Sequence, residues 1–110
     1  MTVQVYYAPH FTRRFKRLHK SYRALPHDLD PLIRQLEAGE TPGDQVPGIH
    51  YAVYKVRLPN STAAKGKSGG YRVLYYLQTA ERVILLSVYA KTQQIDMSAE
   101  EIRRLIEILE

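Results

Sequence analysis

The sequence predicts an α+β fold, in which a small and mostly antiparallel sheet carries a helical hairpin and a C-terminal helix on one face. Two observations predict it. Two helical periodicities follow a single short strand pattern, and three strand patterns then follow in succession before a last helical periodicity. The predicted order of elements is β-α-α-β-β-β-α, in a single domain that spans residues 1–110.

Residues 3–7 predict the first strand, because apolar and polar side chains alternate there until Pro9. From residue 10 to residue 23 the apolar side chains recur at steps of three and four, which is typical of one face of a helix. This apolar stripe consists of Phe11, Phe15, Leu18, Tyr22 and Leu25.

A second helix is predicted directly after the first, so that the two form a hairpin. Asp28 or Asp30 can cap its start, and Pro31 suits the first helical position. Gly39 is a natural C-terminal stop. Residues 40–48 contain two Pro and two Gly, so we expect a loop there.

The second half of the chain predicts three strands and a helix. Residues 50–58, 71–78 and 82–91 have strand patterns, and the short turn between the last two predicts a hairpin. Ser98 and Glu101 have the spacing of a capping box, which predicts that a C-terminal helix begins there.

The net charge of +5 is distributed unevenly along the 110 residues. Residues 1–26 contain six Lys or Arg and no acid, and residues 50–91 contain seven Lys or Arg and one acid. The segments 27–49 and 92–110 are acidic. Two basic segments suggest one basic face, which is typical of proteins that bind polyanions.

Several classes of site are excluded or disfavoured by composition. The absence of cysteine excludes disulfides, Cys-ligated zinc and thiol nucleophiles, and it fits a cytoplasmic protein. No apolar run reaches the length of a membrane span, and the N-terminus shows no signal-peptide pattern. No pair of the four histidines has the i, i+4 spacing of metal ligands with a carboxylate nearby, and acids are sparse in the basic segments, so we expect neither a metal site nor a cofactor.

Cations are concentrated between residues 54 and 76. Lys55 and Arg57 share one face of a predicted strand, and Arg72 lies on the next strand. The intervening loop contains Lys65 and Lys67 among glycines, which allow close backbone approach to a ligand. Like charges repel, so this cluster favours a bound anion such as phosphate. The loop lacks the spacing of a nucleotide-binding P-loop.

Tyr89 and Lys91 have the same parity on the last predicted strand, so their functional groups can project together. Each of these observations has a simpler alternative. Tyr89 can be a core or edge aromatic, and the loop lysines can belong to an exposed loop. The basic residues of the first helix can serve only to solvate its outer face.

In combination, four segments of the sequence resemble the RelE/ParE superfamily of toxins from bacterial type II toxin–antitoxin systems. Within that superfamily they resemble the RelE/HigB-like mRNA interferase branch. The matching segments cover nearly the whole chain in the family's order. They are FTRRFKRLHKSYRALPHDLDPLIRQLEAG, YKVRL, KGKSGGYRVLYYL and VILLSVYAKTQQIDMSAEEI.

The resemblance implies a small antiparallel sheet with helices packed against it. It also implies an enzyme, a ribosome-dependent endoribonuclease (mRNA interferase) that inhibits translation by cutting mRNA in the decoding site. The implied partners are a cognate antitoxin that neutralises the toxin, the ribosome with its rRNA, and mRNA.

The resemblance also assigns residues. Lys55 and Arg57 match the family's Lys-x-Lys strand, Arg72 matches the arginine of its G-Y-R segment, and Lys91 matches the basic residue after the last strand. The family's C-terminal catalytic tyrosine falls near Met97 and has no counterpart here. The nearest substitute is Tyr89, at a position that is not aligned.

RNA carries its own nucleophile, the 2′-hydroxyl, so metal-free cleavage needs groups that orient it and stabilise charge on the phosphate. We assign Arg57 and Arg72 to phosphate stabilisation, since the guanidinium fork matches phosphate oxygens. Lys55 or Lys91 can act as acid or base if neighbouring cations lower its pKa. The predicted RNA-binding residues are Lys65, Lys67, Arg13, Arg14 and Lys16.

Two other functions fit the same sequence. One is a ParE-type gyrase inhibitor, which shares the fold and has no nuclease activity. The other is a non-catalytic RNA-binding or ribosome-binding member of the family, or an inactivated toxin. The cationic strand pair and the glycine-flanked basic loop favour the nuclease.

Overall fold

The computed structural model describes residues 2–62, 70–93 and 96–109. Within these ranges the chain forms a five-stranded sheet with three helices, and the predicted α+β class is confirmed. In chain order the elements are β1 (Gln4–Tyr7), α1 (Pro9–Ser21), α2 (Leu25–Glu37), β2 (Asp44–Gln45), β3 (Val53–Leu58), β4 (Tyr71–Thr79), β5 (Arg82–Ala90) and α3 (Ala99–Leu109).

The strands are arranged in the order β1-β5-β4-β3-β2. Three of the four pairings are antiparallel, as predicted, and only β1 runs parallel to its neighbour β5. β2 lies within the segment 40–48, which we expected to be loop throughout. It is only two residues long and pairs with Tyr54 and Lys55, so the local sequence carries no strand pattern there.

The expectation that all helices cover one face of the sheet is wrong. Apolar residues of α1 and α2 pack against one face, whereas Ile102 and Ile106 of α3 pack against the other. The physical reason lies in the two central strands. Residues 71–76 of β4 and 83–90 of β5 are all buried, so neither face of the sheet centre can be left in water. We call the face covered by α3 the α3 face.

The helical hairpin is confirmed, but α2 begins three residues before Asp28 and five before Asp30. Pro26, and not Pro31, occupies the first turn, and Pro31 lies inside the helix. Both prolines are compatible with helical φ, and Pro26 comes first in the chain. Asp28 is buried, and its carboxylate accepts a hydrogen bond from the Ser61 backbone N–H at 3.1 Å. It therefore holds the segment after β3 instead of capping the helix.

The predicted stop at Gly39 is confirmed. Gly39 has a φ of +91°, and its N–H donates to the carbonyl of Leu36 at 3.0 Å. The N–H of Glu40 donates to the carbonyl of Gln35 at 3.0 Å, which completes a Schellman motif. This sharp end to α2 directs the chain back towards the sheet.

The capping box at the start of α3 is also confirmed. The N–H of Glu101 donates to Ser98 Oγ at 3.1 Å, and the N–H of Ser98 donates to Glu101 Oε1 at 2.8 Å. No helix in the described part of the chain is long and apolar enough to cross a membrane.

A β-bulge interrupts the pairing of β4 with β5. Leu74 pairs with Ser87 and Tyr75 pairs with Leu85, so Leu86 is the extra residue. The bulge reverses the alternation of side chains along β5. Leu85 consequently packs on the side of α1 and α2, whereas Tyr89 packs on the α3 face.

Candidate functional site

Three predicted site residues form one row across the sheet. Arg57 of β3 pairs with Arg72 of β4, and Arg72 pairs with Tyr89 of β5. Val73 faces α1 and α2, and successive side chains of a strand point to opposite faces of the sheet. The side chain of Arg72 therefore leaves the backbone on the α3 face, where Tyr89 also packs. Neighbouring strands lie about 4.8 Å apart, so the row spans about 10 Å. The sheet therefore assembles residues that the sequence separates by up to 32 positions.

The two arginines differ in exposure. Arg72 is only 8% exposed, and its Nη1 donates to the carbonyl of Tyr71 at 3.3 Å. A guanidinium stays charged even when it loses water, and a poorly solvated cation binds an anion more strongly. The side chain of Arg57 is exposed to solvent. We call these two residues the arginine pair.

A carboxylate that sequence reasoning missed joins the other predicted residues. Asp96 Oδ2 accepts a hydrogen bond from Lys55 Nζ at 3.0 Å, and Asp96 Oδ1 accepts one from Tyr89 Oη at 2.9 Å. Lys91 Nζ lies 3.7 Å from Asp96 Oδ1. The sequence did offer one indication of Asp96, which is its location. It is the first acid after the last strand and lies five residues beyond Lys91.

The alternative reading of Tyr89 as a core aromatic is correct for its ring. The residue is 1% exposed and belongs to the cluster that α3 covers. Its hydroxyl nevertheless reaches Asp96. A buried ring with a polar tip at the edge of the core fixes the position of that hydroxyl.

The charges at this cluster set the protonation states. Hydrogen bonds from Lys55 and Tyr89 lower the pKa of Asp96 to about 2. Burial, together with the hydrogen bond to Asp96, raises the pKa of Tyr89 well above its usual value. At neutral pH the carboxylate is therefore ionised and the phenol keeps its proton, so Tyr89 is not a base in this arrangement.

We expect the Asp96 contacts to survive mild acid. Because the pKa is lowered on folding, their contribution to stability is complete above the ordinary value of 3.8 and is lost as the pH falls towards 2. Carboxyl ¹³C NMR, assigned with Asp96→Asn, should give a midpoint near 2 for the native protein. In Lys55→Met the midpoint should move up towards 3.8. A native midpoint near 3.8 would contradict these contacts.

Gly70, the residue before β4, is hydrogen-bonded to one member of this cluster. Gly70 has a φ of +64°, and a Cβ atom there would collide with the carbonyl of Leu58. The carbonyl of Gly70 accepts a hydrogen bond from the N–H of Lys91 at 3.0 Å. Lys65 and Lys67, predicted to bind RNA, lie outside the described residues.

The basic residues of α1 and those of β3 and β4 lie on different elements of the fold. Arg13, Arg14 and Lys16 lie on α1, and the apolar stripe of α1 packs on the sheet face opposite to α3. The described residues therefore place the predicted RNA-binding residues of α1 and the cationic residues of the sheet on elements from opposite sides of the sheet.

One histidine of α1 nevertheless lies near the row. His10 Nε2 and Ser87 Oγ are 3.2 Å apart, and Ser87 is two residues before Tyr89. Burial, followed by the charges of Arg14 and Arg13, lowers the pKa of His10. We assign this pair no role in the cluster around Asp96.

Comparison with protein families agrees with this architecture. A family model described as the RelE toxin of the RelE/RelB toxin–antitoxin system matches residues 10–109. The matched segment includes the arginine pair, Tyr89, Asp96 and all of the helical hairpin except Pro9. Since the match covers nearly the whole chain, the protein belongs to the RelE toxin family of toxin–antitoxin systems.

Proposed function

We propose that this RelE-family toxin is a ribosome-dependent endoribonuclease that cleaves mRNA during translation. The observation that carries the proposal is the row of Arg57, Arg72 and Tyr89, with Lys55 and Asp96 beside it. Two guanidinium groups on adjacent strands suit the non-bridging oxygens of a phosphodiester. The hydroxyl and ammonium groups next to them suit proton transfer.

In the proposed reaction the 2′-oxygen attacks the adjacent phosphorus and the bond from phosphorus to the 5′-oxygen breaks. The products are a 2′,3′-cyclic phosphate and a 5′-hydroxyl end. The arginine pair stabilises the charge that develops on the phosphate oxygens. Of Lys55 and Lys91, one reacts as the neutral amine and takes the proton from the 2′-hydroxyl, and the other, as the ammonium ion, supplies a proton to the leaving 5′-oxygen.

The open geometry of the cluster supports a substrate that another surface presents. Arg57 at one end of the row is exposed, and the side chains of Lys55, Lys91 and Asp96 are 36%, 43% and 45% exposed. Such a surface supplies charge but does little to hold a flexible strand in line, and orientation is a large part of catalysis. We propose that the ribosome, through its rRNA, holds the mRNA for the toxin in the cytoplasm.

The family assignment also implies a cognate antitoxin. We propose that the antitoxin neutralises this toxin by preventing it from reaching the ribosome. Co-expression of the neighbouring gene product should then restore growth and remove any mRNA cleavage.

Mapping of RNA ends in cells that express the protein tests the proposed activity. We expect cuts within codons of a translated reporter, with 5′-hydroxyl ends, and no cuts in the same reporter without its start codon. Intact mRNA with an SOS response would overturn the proposal and support gyrase inhibition. Ribosome binding without any cuts would overturn it in favour of a non-catalytic member.

A further inference from the structure

We infer that Asp96 is a positioning residue for RNA cleavage, holding Lys55 Nζ and the Tyr89 hydroxyl in place beside the arginine pair. This inference rests on the proposed nuclease function and assigns a role to a residue that the sequence did not single out. Asp96 acts through Lys55 and Tyr89 and does not need to touch the reacting atoms.

The sheet alone does not connect Lys55 with Tyr89. Lys55 lies on β3 and Tyr89 lies on β5, with β4 between them, so the two strands are about 10 Å apart. The Asp96 carboxylate spans this gap, with Oδ2 on Lys55 and Oδ1 on Tyr89. A lysine side chain has four rotatable bonds, and such a contact restricts it to a small set of positions.

Asp96 also reduces the repulsion between neighbouring lysines in the folded protein when no RNA is bound. Lys55 and Lys91 both lie within salt-bridge distance of its carboxylate, at 3.0 and 3.7 Å. No ion pair is formed by Arg57 with any of the residues that the structure describes. Arg57 therefore remains available for phosphate while Asp96 offsets the charge of Lys55 and Lys91.

The segment that carries Asp96 is held by the start of α3. Ser98 and Glu101 form the capping box, and Ile102 anchors the helix in the core at 2% exposure. The backbone two residues after Asp96 is thereby fixed against the α3 face. A carboxylate on such a support can position its partners instead of following them.

A role for Asp96 as the general base is less consistent with its surroundings. Lys55 and Tyr89 both donate to the carboxylate and stabilise its ionised form, which makes it a weak proton acceptor. The Tyr89 proton points to Asp96, so the phenol oxygen is left to accept a hydrogen bond from RNA.

Single-turnover cleavage of mRNA on programmed ribosomes tests the inference. In Asp96→Asn, which keeps the shape and removes the charge, we expect the maximal rate constant to fall at least tenfold, on the order of 1.4 kcal/mol. The half-saturating toxin concentration should stay within twofold or decrease. Asp96→Glu should recover part of the lost rate, because it restores the carboxylate.

The matched control is Asp30→Asn. Asp30 forms an exposed ion pair with Arg34 on α2, with 2.9 Å between Oδ2 and Nε. The same substitution there should leave the maximal rate constant within twofold. The inference is wrong if Asp96→Asn also cleaves within twofold of the native rate, or if its whole defect is a raised half-saturating concentration.

A second measurement does not depend on RNA cleavage. With ¹³Cζ-labelled tyrosine, assigned by Tyr89→Phe, the Tyr89 signal should begin to titrate at lower pH in Asp96→Asn than in the native protein. An unchanged onset would overturn the inference. If the Tyr89 titration differs between the two proteins as expected but the native protein cuts no RNA, the proposed function is refuted instead. Failure of the inference and failure of the proposed function are therefore distinguishable.

Discussion

Replacement of Arg72 by Ala is expected to lower the rate constant of mRNA cleavage by about 10²- to 10³-fold, the range found when one group that stabilises transition-state charge is removed. Arg72 occupies the centre of the row, between Arg57 and Tyr89. Its guanidinium is largely withheld from water, so its interaction with a phosphate is weakly screened. The measurement is single-turnover cleavage on programmed ribosomes, with saturating toxin.

Two further variants separate charge from geometry and from folding. Arg72→Lys keeps the positive charge but loses the planar fork, so we expect it to recover only part of the activity. Arg82→Ala is the matched control, because Arg82 lies at the start of β5 with its guanidinium carbon 4.1 Å from the ring centre of Tyr6. That variant should cleave within twofold of the native protein.

The prediction for Arg72 depends on the variant being folded, since part of its side chain is buried. Circular dichroism and the thermal midpoint establish this for each variant. A folded Arg72→Ala that cleaves at more than one tenth of the native rate would contradict the role of the arginine pair.

The second large effect concerns stability. Leu85→Ala should lower the free energy of unfolding by about 2–5 kcal/mol, because it removes buried atoms and leaves a cavity. Leu85 is fully buried in β5, between Tyr7 of β1 and Tyr75 of β4. Its side chain belongs to the core that α1 and α2 cover. A site at the centre of the sheet has little freedom to collapse around a missing side chain.

Urea unfolding measures this change, with an unchanged dependence on urea concentration as the sign of the same folded and unfolded states. Ile108→Ala is the control, because Ile108 is 76% exposed on α3. Its free energy of unfolding should change by less than about 0.5 kcal/mol. Equal effects at Leu85 and Ile108 would show that the assigned core is wrong.

Local patterns predicted most of the elements because their causes are local. The apolar stripe from Phe11 to Leu18 depends only on helical periodicity, and Gly39 ends α2 through its own backbone conformation. The capping box of Ser98 and Glu101 involves residues three positions apart. Errors arose where two local signals competed, as at the start of α2, where Pro26 and Pro31 both suit the first turn.

The candidate site was only partly predictable. Strand parity correctly placed Lys55 and Arg57 on one face of β3, and the register sets Arg57 opposite Arg72. Asp96 was missed because its partners are a lysine 41 positions away and a tyrosine near the end of an apolar strand. The spacing of residues within the C-terminal segment cannot predict a contact with a residue so distant in the sequence.

The sequence by itself determined the α+β class, the identity of the basic strands and the resemblance that the family match confirmed. These properties follow from residue types and short spacings. The tertiary structure alone decided which cations meet and which carboxylate they share. The bulge at Leu86 places Tyr89 on the α3 face. Because both faces of β4 and β5 are buried, α3 packs on that face, and Asp96 lies just before α3. Both effects depend on pairing and burial between distant segments, which are properties of the folded sheet and not of any one stretch of chain.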